Sequence, residues 1–125
     1  MPAIPYPKFD EVMRALLGDI APVVTFVDDH TPRPYIRVTR VGGSEDGVSD
    51  NPLIYTEYVA DTRAASKDLE KLGQDRILFA GNTSPGGFLI DTAEERAGGV
   101  FLPPADRDVR SVSATYRLSY RRPRA

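Results

Sequence analysis

Polar and apolar positions alternate with period two along the last strand-like stretch, Val109 to Arg121. Apart from Arg110, the even positions Val112, Ala114, Tyr116, Leu118 and Tyr120 are apolar, while Ser111, Ser113, Thr115, Arg117, Ser119 and Arg121 are polar. This is the side-chain period of a strand with one packed face and one face turned to water or a partner. Near the start of the chain the period changes. Phe9, Val12, Met13, Leu16, Leu17 and Ile20 follow the spacing of an amphipathic helix. Pro7 near the first turn, the acids Asp10 and Glu11 early and Gly18 as a stop predict that helix over Lys8 to Leu17.

Between these two elements, the β-branched and aromatic run Val23 to Val27 predicts a strand. It ends in the turn formers Asp28-Asp29-His30-Thr31-Pro32. Tyr35 to Val41 alternates again and predicts a second strand, closed by Gly42-Gly43. After the acidic loop Ser44 to Asp50, the stretch Leu53 to Val59 has apolar groups on both faces, the pattern of a central strand covered on both sides. Asp61 is positioned to cap a helix from Arg63 to about Phe79. Ala65, Leu69, Leu72, Phe79 and Ala80 form its stripe, and Lys67, Asp68, Glu70, Lys71 and Asp75 face outward. Gly73 weakens its middle by up to ~1 kcal/mol relative to alanine, which makes a break there one expectation. Gly81 to Gly87 is a turn-rich connector. Phe88 to Asp91 predicts a short strand and Val100 to Leu102 another, separated by a long loop, Thr92 to Asp108. The expected class is α+β, an antiparallel or mixed sheet of about four to six strands against two helices, in the order α-β-β-β-α-β-β. One domain spanning residues 1–125 is expected, with residues 1–7 and 121–125 flexible.

Composition narrows the chemistry. The 125 residues contain no cysteine, which excludes a disulfide framework, a cysteine zinc site and a thiol nucleophile. No apolar run approaches the roughly 20 residues of a membrane span. Met1 to Gly18 carries Pro, Lys, Asp and Glu where a signal peptide has a continuous apolar segment, so neither membrane insertion nor export by a cleaved leader is expected. A net charge of −2 offers no general basis for nucleic-acid binding, although Arg117, Arg121, Arg122 and Arg124 crowd the C-terminal end. His30 is the only histidine, and Asp28-Asp29-His30 lacks a second histidine at ligand spacing, so it reads as a solvated turn. Gly42-Gly43 and Gly86-Gly87 lack the flanking residues of a phosphate loop and read as turns. The acid pairs Asp10-Glu11, Glu45-Asp46 and Glu94-Glu95 fall in expected loops or on an exposed helix face, where solvated charge is the reading. No catalytic residue, cofactor site or metal site is expected.

The order of features resembles a known family. Pro34-Tyr35-Ile36-Arg37-Val38-Thr39-Arg40-Val41-Gly42-Gly43 precedes an acidic loop with Ser49-Asp50. Then come a strand ending Tyr58-Val59-Ala60-Asp61 and a helix opening Thr62-Arg63-Ala64-Ala65. This run is similar to the tail terminator proteins of long-tailed bacteriophages, especially those infecting actinobacteria. Gly99-Val100-Phe101-Leu102-Pro103 and the stretch Asp108 to Arg122 look like that family's closing loop and strand, so the resemblance covers roughly residues 20 to 122. It implies a structural protein without a cofactor. Such a subunit assembles as a homohexameric ring on the tail tube protein, halts tube polymerisation and offers its other side to the head-tail connector or stopper protein. Double-stranded DNA would pass through without sequence readout. The location implied is the virion tail and neck, with assembly in the host cytoplasm.

Three surfaces are candidates for assembly contacts: the loop Ser44 to Asn51, the loop Thr92 to Asp108, and the polar strand face Ser111, Ser113, Thr115, Arg117 and Ser119. The charged residues proposed for the interface are Arg37, Arg40, Glu45, Asp46, Asp50, Arg107, Asp108, Arg117 and Arg121. Two other readings stay open at this point. One is a different head-to-tail joining protein, a stopper or adaptor. The other is a small α+β enzyme or ligand-binding domain, which a buried polar cluster under the helices would favour.

Overall fold

The computed structural model describes residues 8–28, 30–45, 49–83, 90–101 and 111–121, with the backbone alone described at residues 45, 97–101 and 121. The predicted order α-β-β-β-α-β-β is observed. Helix α1, Phe9–Leu17, buries Val12, Met13, Leu16 and Leu17, the residues its spacing placed on one face. Arg14 donates to Asp10 one turn earlier at 2.8 Å, an exposed pair with the acid on the N-terminal side.

Strand β1 is Val23–Val24 alone, shorter than the predicted Val23 to Val27. It pairs parallel with the next strand, Val23 opposite Ile36 and Val24 opposite Arg37. The chain then turns away. Phe26 is exposed, and the Asp28 carboxylate accepts from the His30 backbone N–H at 2.8 Å, a local turn bond that competes with a ladder.

Strands β2, Tyr35–Glu45, and β3, Ser49–Val59, form a long antiparallel hairpin. The predicted end at Gly42-Gly43 is therefore a correction: β2 continues through both glycines, with a bulge at Val41 where Arg40 and Gly42 pair with the successive residues Ile54 and Leu53. Gly43 adopts φ +109°, and a Cβ there would lie 2.7 Å from the Pro52 Cα, so the glycine permits the crossing. Most of the expected acidic loop is thus strand, while its tip, residues 46–48, lies outside the described residues. Strand β3 is central as predicted, but burial alternates along it. Ile54, Thr56 and Tyr58 are buried, and Leu53, Tyr55 and Glu57 on the opposite face are only partly covered.

Helix α2, Arg63–Leu78, is capped by Thr62, whose hydroxyl accepts from the Ala65 N–H at 3.1 Å; Asp61 was the expected cap. Its buried face comprises Ser66, Leu69, Glu70, Gly73 and Ile77, rotated from the predicted stripe. Leu72 and Phe79 are 57% and 81% exposed, while Glu70, predicted to face out, is 2% exposed. The helix does not break at Gly73. A Cβ at that position would sit 2.5 Å from the Tyr58 ring, so the missing side chain makes room for the tyrosine.

Strand β4, Ile90–Phe101, replaces the two short strands and much of the long loop expected between Phe88 and Leu102. Three register shifts interrupt its antiparallel pairing with β5, Ser111–Arg121. These irregularities explain why no clean alternation marked it. Residues 84–89 and 102–110, which include most of the predicted connector and the rest of the predicted loop, lie outside the described residues, as do residues 1–7 and 122–125.

The strand order is β1-β2-β3-β5-β4, a mixed sheet in which, among the described residues, β1 with β2 is the only parallel pair. Both helices pack on one face: α2 over β3, β5 and β4, and α1 over β1 and β2 and against α2. The core between them holds Ile36, Val38, Ile54, Tyr58, Tyr116, Leu118 and Tyr120 together with the helix residues.

Candidate functional site

Because successive strand residues point to opposite faces, the register fixes what the helix-free face presents. Arg37 stands opposite Glu57 and Glu57 opposite Ser113, making one row across the sheet. Thr39, Tyr55 and Thr115 make the next, and Leu53, Arg117 and Glu94 a third. Among the described residues, neither helix covers this face. Its charges are mixed: the Arg117 guanidinium lies 3.8 Å from the Glu94 carboxylate, both side chains about half exposed, a pair worth at most ~1 kcal/mol. A surface hollow of about 440 Å³ opens beside Arg117, lined by Gly43, Ser44, Asn51, Leu53, Arg96 and Arg117. Gly43 and Ser44 of β2, Asn51 and Leu53 of β3 and Arg96 of β4 form its walls. On the polar parity of β5, burial is graded: Ser111 and Ser113 are 6% and 5% exposed, whereas Thr115, Arg117 and Ser119 are partly open.

The charged residues singled out from the sequence fall into two groups. Arg37 and Arg117 belong to the open face. Arg40 and Asp50 lie on the helix side at the far end of the hairpin, where two Arg40 nitrogens reach the two Asp50 oxygens at 2.7 Å each. Asp50 is 4% exposed, so this bidentate pair is partly desolvated, and it ties the distal ends of β2 and β3 together. Tyr120 is opposite Asp50 in the β3–β5 register. Burial pushes the Tyr120 phenol well above the usual tyrosine range, and the Asp50 charge adds to the effect. The Glu45 backbone is opposite Asp50, and that of Arg121 opposite Ser49, so four of the nine positions gather at this end. Asp46, Arg107 and Asp108 lie outside the described residues.

A polar cluster that the sequence pattern hid lies between α2 and the sheet. Tyr58 donates to the Tyr116 hydroxyl at 3.4 Å, and Gln74 donates to Glu95 at 2.8 Å. Glu70 is buried with Lys67 Nζ 3.6 Å away. Burial raises both tyrosine phenols; at Tyr116 the neighbouring Tyr58 and the carboxylates of Glu70 and Glu95 push further in the same direction. The two phenols hold their protons and fill the space between layers. The signal that would have found them is the glycine at 73: with Gly73 facing the sheet, Glu70 one turn earlier faces it too.

Two further hollows flank α2. One of about 390 Å³ lies among Pro34, Ala60, Asp61, Thr62, Ala65, Asp68, Leu69 and Leu72; another of about 290 Å³ lies among Ile20, Leu72, Asp75, Arg76 and Phe79. Arg76 bridges the helices there, donating to Asp19 at 2.7 Å and to the Leu16 carbonyl at 3.1 Å. The Arg76 hydrogen bond holds the Asp19 carboxyl below its ordinary range. His30 is exposed in its turn, and among the described residues no group of three or more metal-ligating side chains converges.

Comparison with known proteins agrees with a surface-driven reading. No curated protein matches the chain. The model of one family, described as phage tail termination protein, matches residues 5–125, nearly the whole sequence and wider than the stretch that carried the resemblance. A chain covered this completely, with the predicted α+β order in place, belongs to the phage tail termination protein family.

Proposed function

We propose that this chain is the subunit of a homohexameric ring that sits on the finished tail tube, stops its polymerisation and forms the interface to the head-tail connector. Family membership gives the coarser role: a structural protein of the bacteriophage virion that caps the tail. The finer reading adds assembly in the host cytoplasm, an actinobacteriophage type, contact with the tube protein below and a stopper above, and passage of double-stranded DNA through the ring. A net charge of −2 suits a lumen that lets DNA pass without gripping it.

The observation that supports the reading best is the sheet itself, which carries helices on one face and a mixed-charge surface on the other. Arg37 and Arg117 are proposed to contact neighbours from that open face. Arg40, Glu45, Asp46, Asp50 and Arg121 act through the hairpin end, and Arg107 and Asp108 through the segment before β5. The buried polar cluster under α2 gives the ligand-binding alternative its one foothold; its tyrosines are packed and hydrogen-bonded to one another, and the three surface hollows are lined by other residues.

Electron microscopy of particles made without this protein tests the role. Tails of uncontrolled length support termination, whereas tails of normal length that fail to join heads would assign the chain as a stopper or adaptor. Light scattering or native mass spectrometry, alone and on purified tubes, tests the hexamer. Arg117→Glu should lower the hexameric fraction, and unchanged assembly would remove Arg117 from the interface.

A further inference from the structure

Resting on the ring reading above, we propose that neighbouring copies join edge to edge: β4 of one subunit pairs antiparallel with the outer edge of β2, residues 38–45, of the next. Two observations lead there. First, among the described residues both edges of the sheet leave backbone open. β4 is the last strand on one side, where Asn82 and Thr83 bond to its first residue, Ile90, and no strand lies beside Thr92 to Glu95. On the other, β1 reaches only Ile36 and Arg37 of β2, and beyond Arg37 no strand lies beside the rest of β2 among the described residues. Rows of unpaired backbone N–H and C=O groups at two such edges are templates for pairing.

Second, the directions match. β2 is antiparallel to β3, β3 to β5 and β5 to β4, so β4 runs opposite to β2. Two copies placed side by side in the same orientation therefore bring β4 of one against β2 of the next as an antiparallel pair. The two edges are different surfaces, so the contact is head-to-tail, the type that closes into a ring when the rotation is right. The regular part of β4, Thr92 to Glu95, lies between register shifts. These confine the contact to a short segment, because a bulged strand bends away from extended pairing.

The chain contains no cysteine, so engineered thiols report on this contact alone. Thr39 and Thr92 or Glu94 belong to the helix-free face by register. Within one subunit β3 and β5 separate these positions by three strand spacings, about 14 Å, too far for a disulfide. The test combines Thr39→Cys with Thr92→Cys, or with Glu94→Cys, and repeats both pairings with Val41→Cys in place of Thr39→Cys. Each is oxidised in solution and on tail tubes, with circular dichroism confirming the fold. Disulfide-linked multimers up to the hexamer, absent from each single-cysteine variant, are expected from at least one pairing. A hexameric mass with no cross-link from any of the four pairings would overturn the edge contact and leave the ring standing. The mass of a single chain both in solution and on tubes would overturn the ring reading as well.

Discussion

The two faces of the sheet are built from the same strands, yet they carry different duties. On the helix side, Val112, Ala114, Tyr116, Leu118 and Tyr120 are at most 2% exposed, on a strand that α2 covers. One residue further along the same backbone, Thr115, Arg117 and Ser119 are partly open, in rows with Tyr55, Leu53 and Glu94. Burial of apolar area stabilises the fold from the first face. Side chains on the second are constrained far less by packing, which leaves them available for contact. Stability and assembly can therefore be changed separately by substitutions only one residue apart.

The sharpest break of this comparison is Leu118→Ala against Arg117→Ala. The first should cost about 2–5 kcal/mol by removing a fully buried side chain, and the second less than ~1 kcal/mol because its ion pair is half exposed. Urea denaturation of both variants checks the pair, and equal losses would show that the open face is a second core. Arg40→Ala tests the hairpin end. It leaves the Asp50 carboxylate buried without its bidentate partner, and a loss of about 1–3 kcal/mol is expected, below that of a fully buried pair because Arg40 is a third exposed.

Gly73→Ala distinguishes helix propensity from packing. Propensity alone favours alanine by up to ~1 kcal/mol, but the new methyl collides with the Tyr58 ring, so a net loss of about 1–2 kcal/mol is expected. A higher melting temperature would show that the α2 contact yields easily.

The buried phenols predict a pH response. Burial raises Tyr58, Tyr116 and Tyr120 in the folded chain above the ordinary value of 10.0. The unfolded chain ionises first, so their contribution is complete below pH 10 and declines as pH rises beyond it. The decline is about 1.4 kcal/mol per pH unit for each phenol. Phenolate absorbance from these three should appear only with unfolding; titration before unfolding would mean that water reaches them. The smallest effect is expected at Phe79→Ser, within ~0.5 kcal/mol, because that ring is 81% exposed. A large loss in dilute solution would place Phe79 in the core.

Strands that keep a strict period were legible in the sequence. The even positions of β5 and Val12, Met13, Leu16 and Leu17 of the α1 stripe are buried as their spacing required, with Phe9 and Ile20 partly buried at its ends. β4 reads as two short strands around a loop because its three register shifts destroy alternation between its ends, and the run through Gly42-Gly43 reads as ending there because glycine pairs mark bulges as readily as ends. In α2, Leu72 and Phe79 carried more hydrophobic weight than Ser66, Glu70 and Gly73. The ring of Tyr58, from a distant strand, selects the face with the glycine. Of the candidate residues, the pairing of Arg40 with Asp50 depends on a ten-residue hairpin register, and that of Arg117 with Glu94 on strands far apart in sequence.

Local patterning by itself determined the class, the order of elements and the polarity of the closing strand, because side-chain period and turn chemistry act over a few residues. Only the tertiary structure decided which side of α2 meets the sheet, which acids are buried and which strands stand at the edges of the sheet. Those outcomes depend on shape complementarity and backbone pairing between segments brought together by folding, and neither is encoded in the neighbours of any one residue.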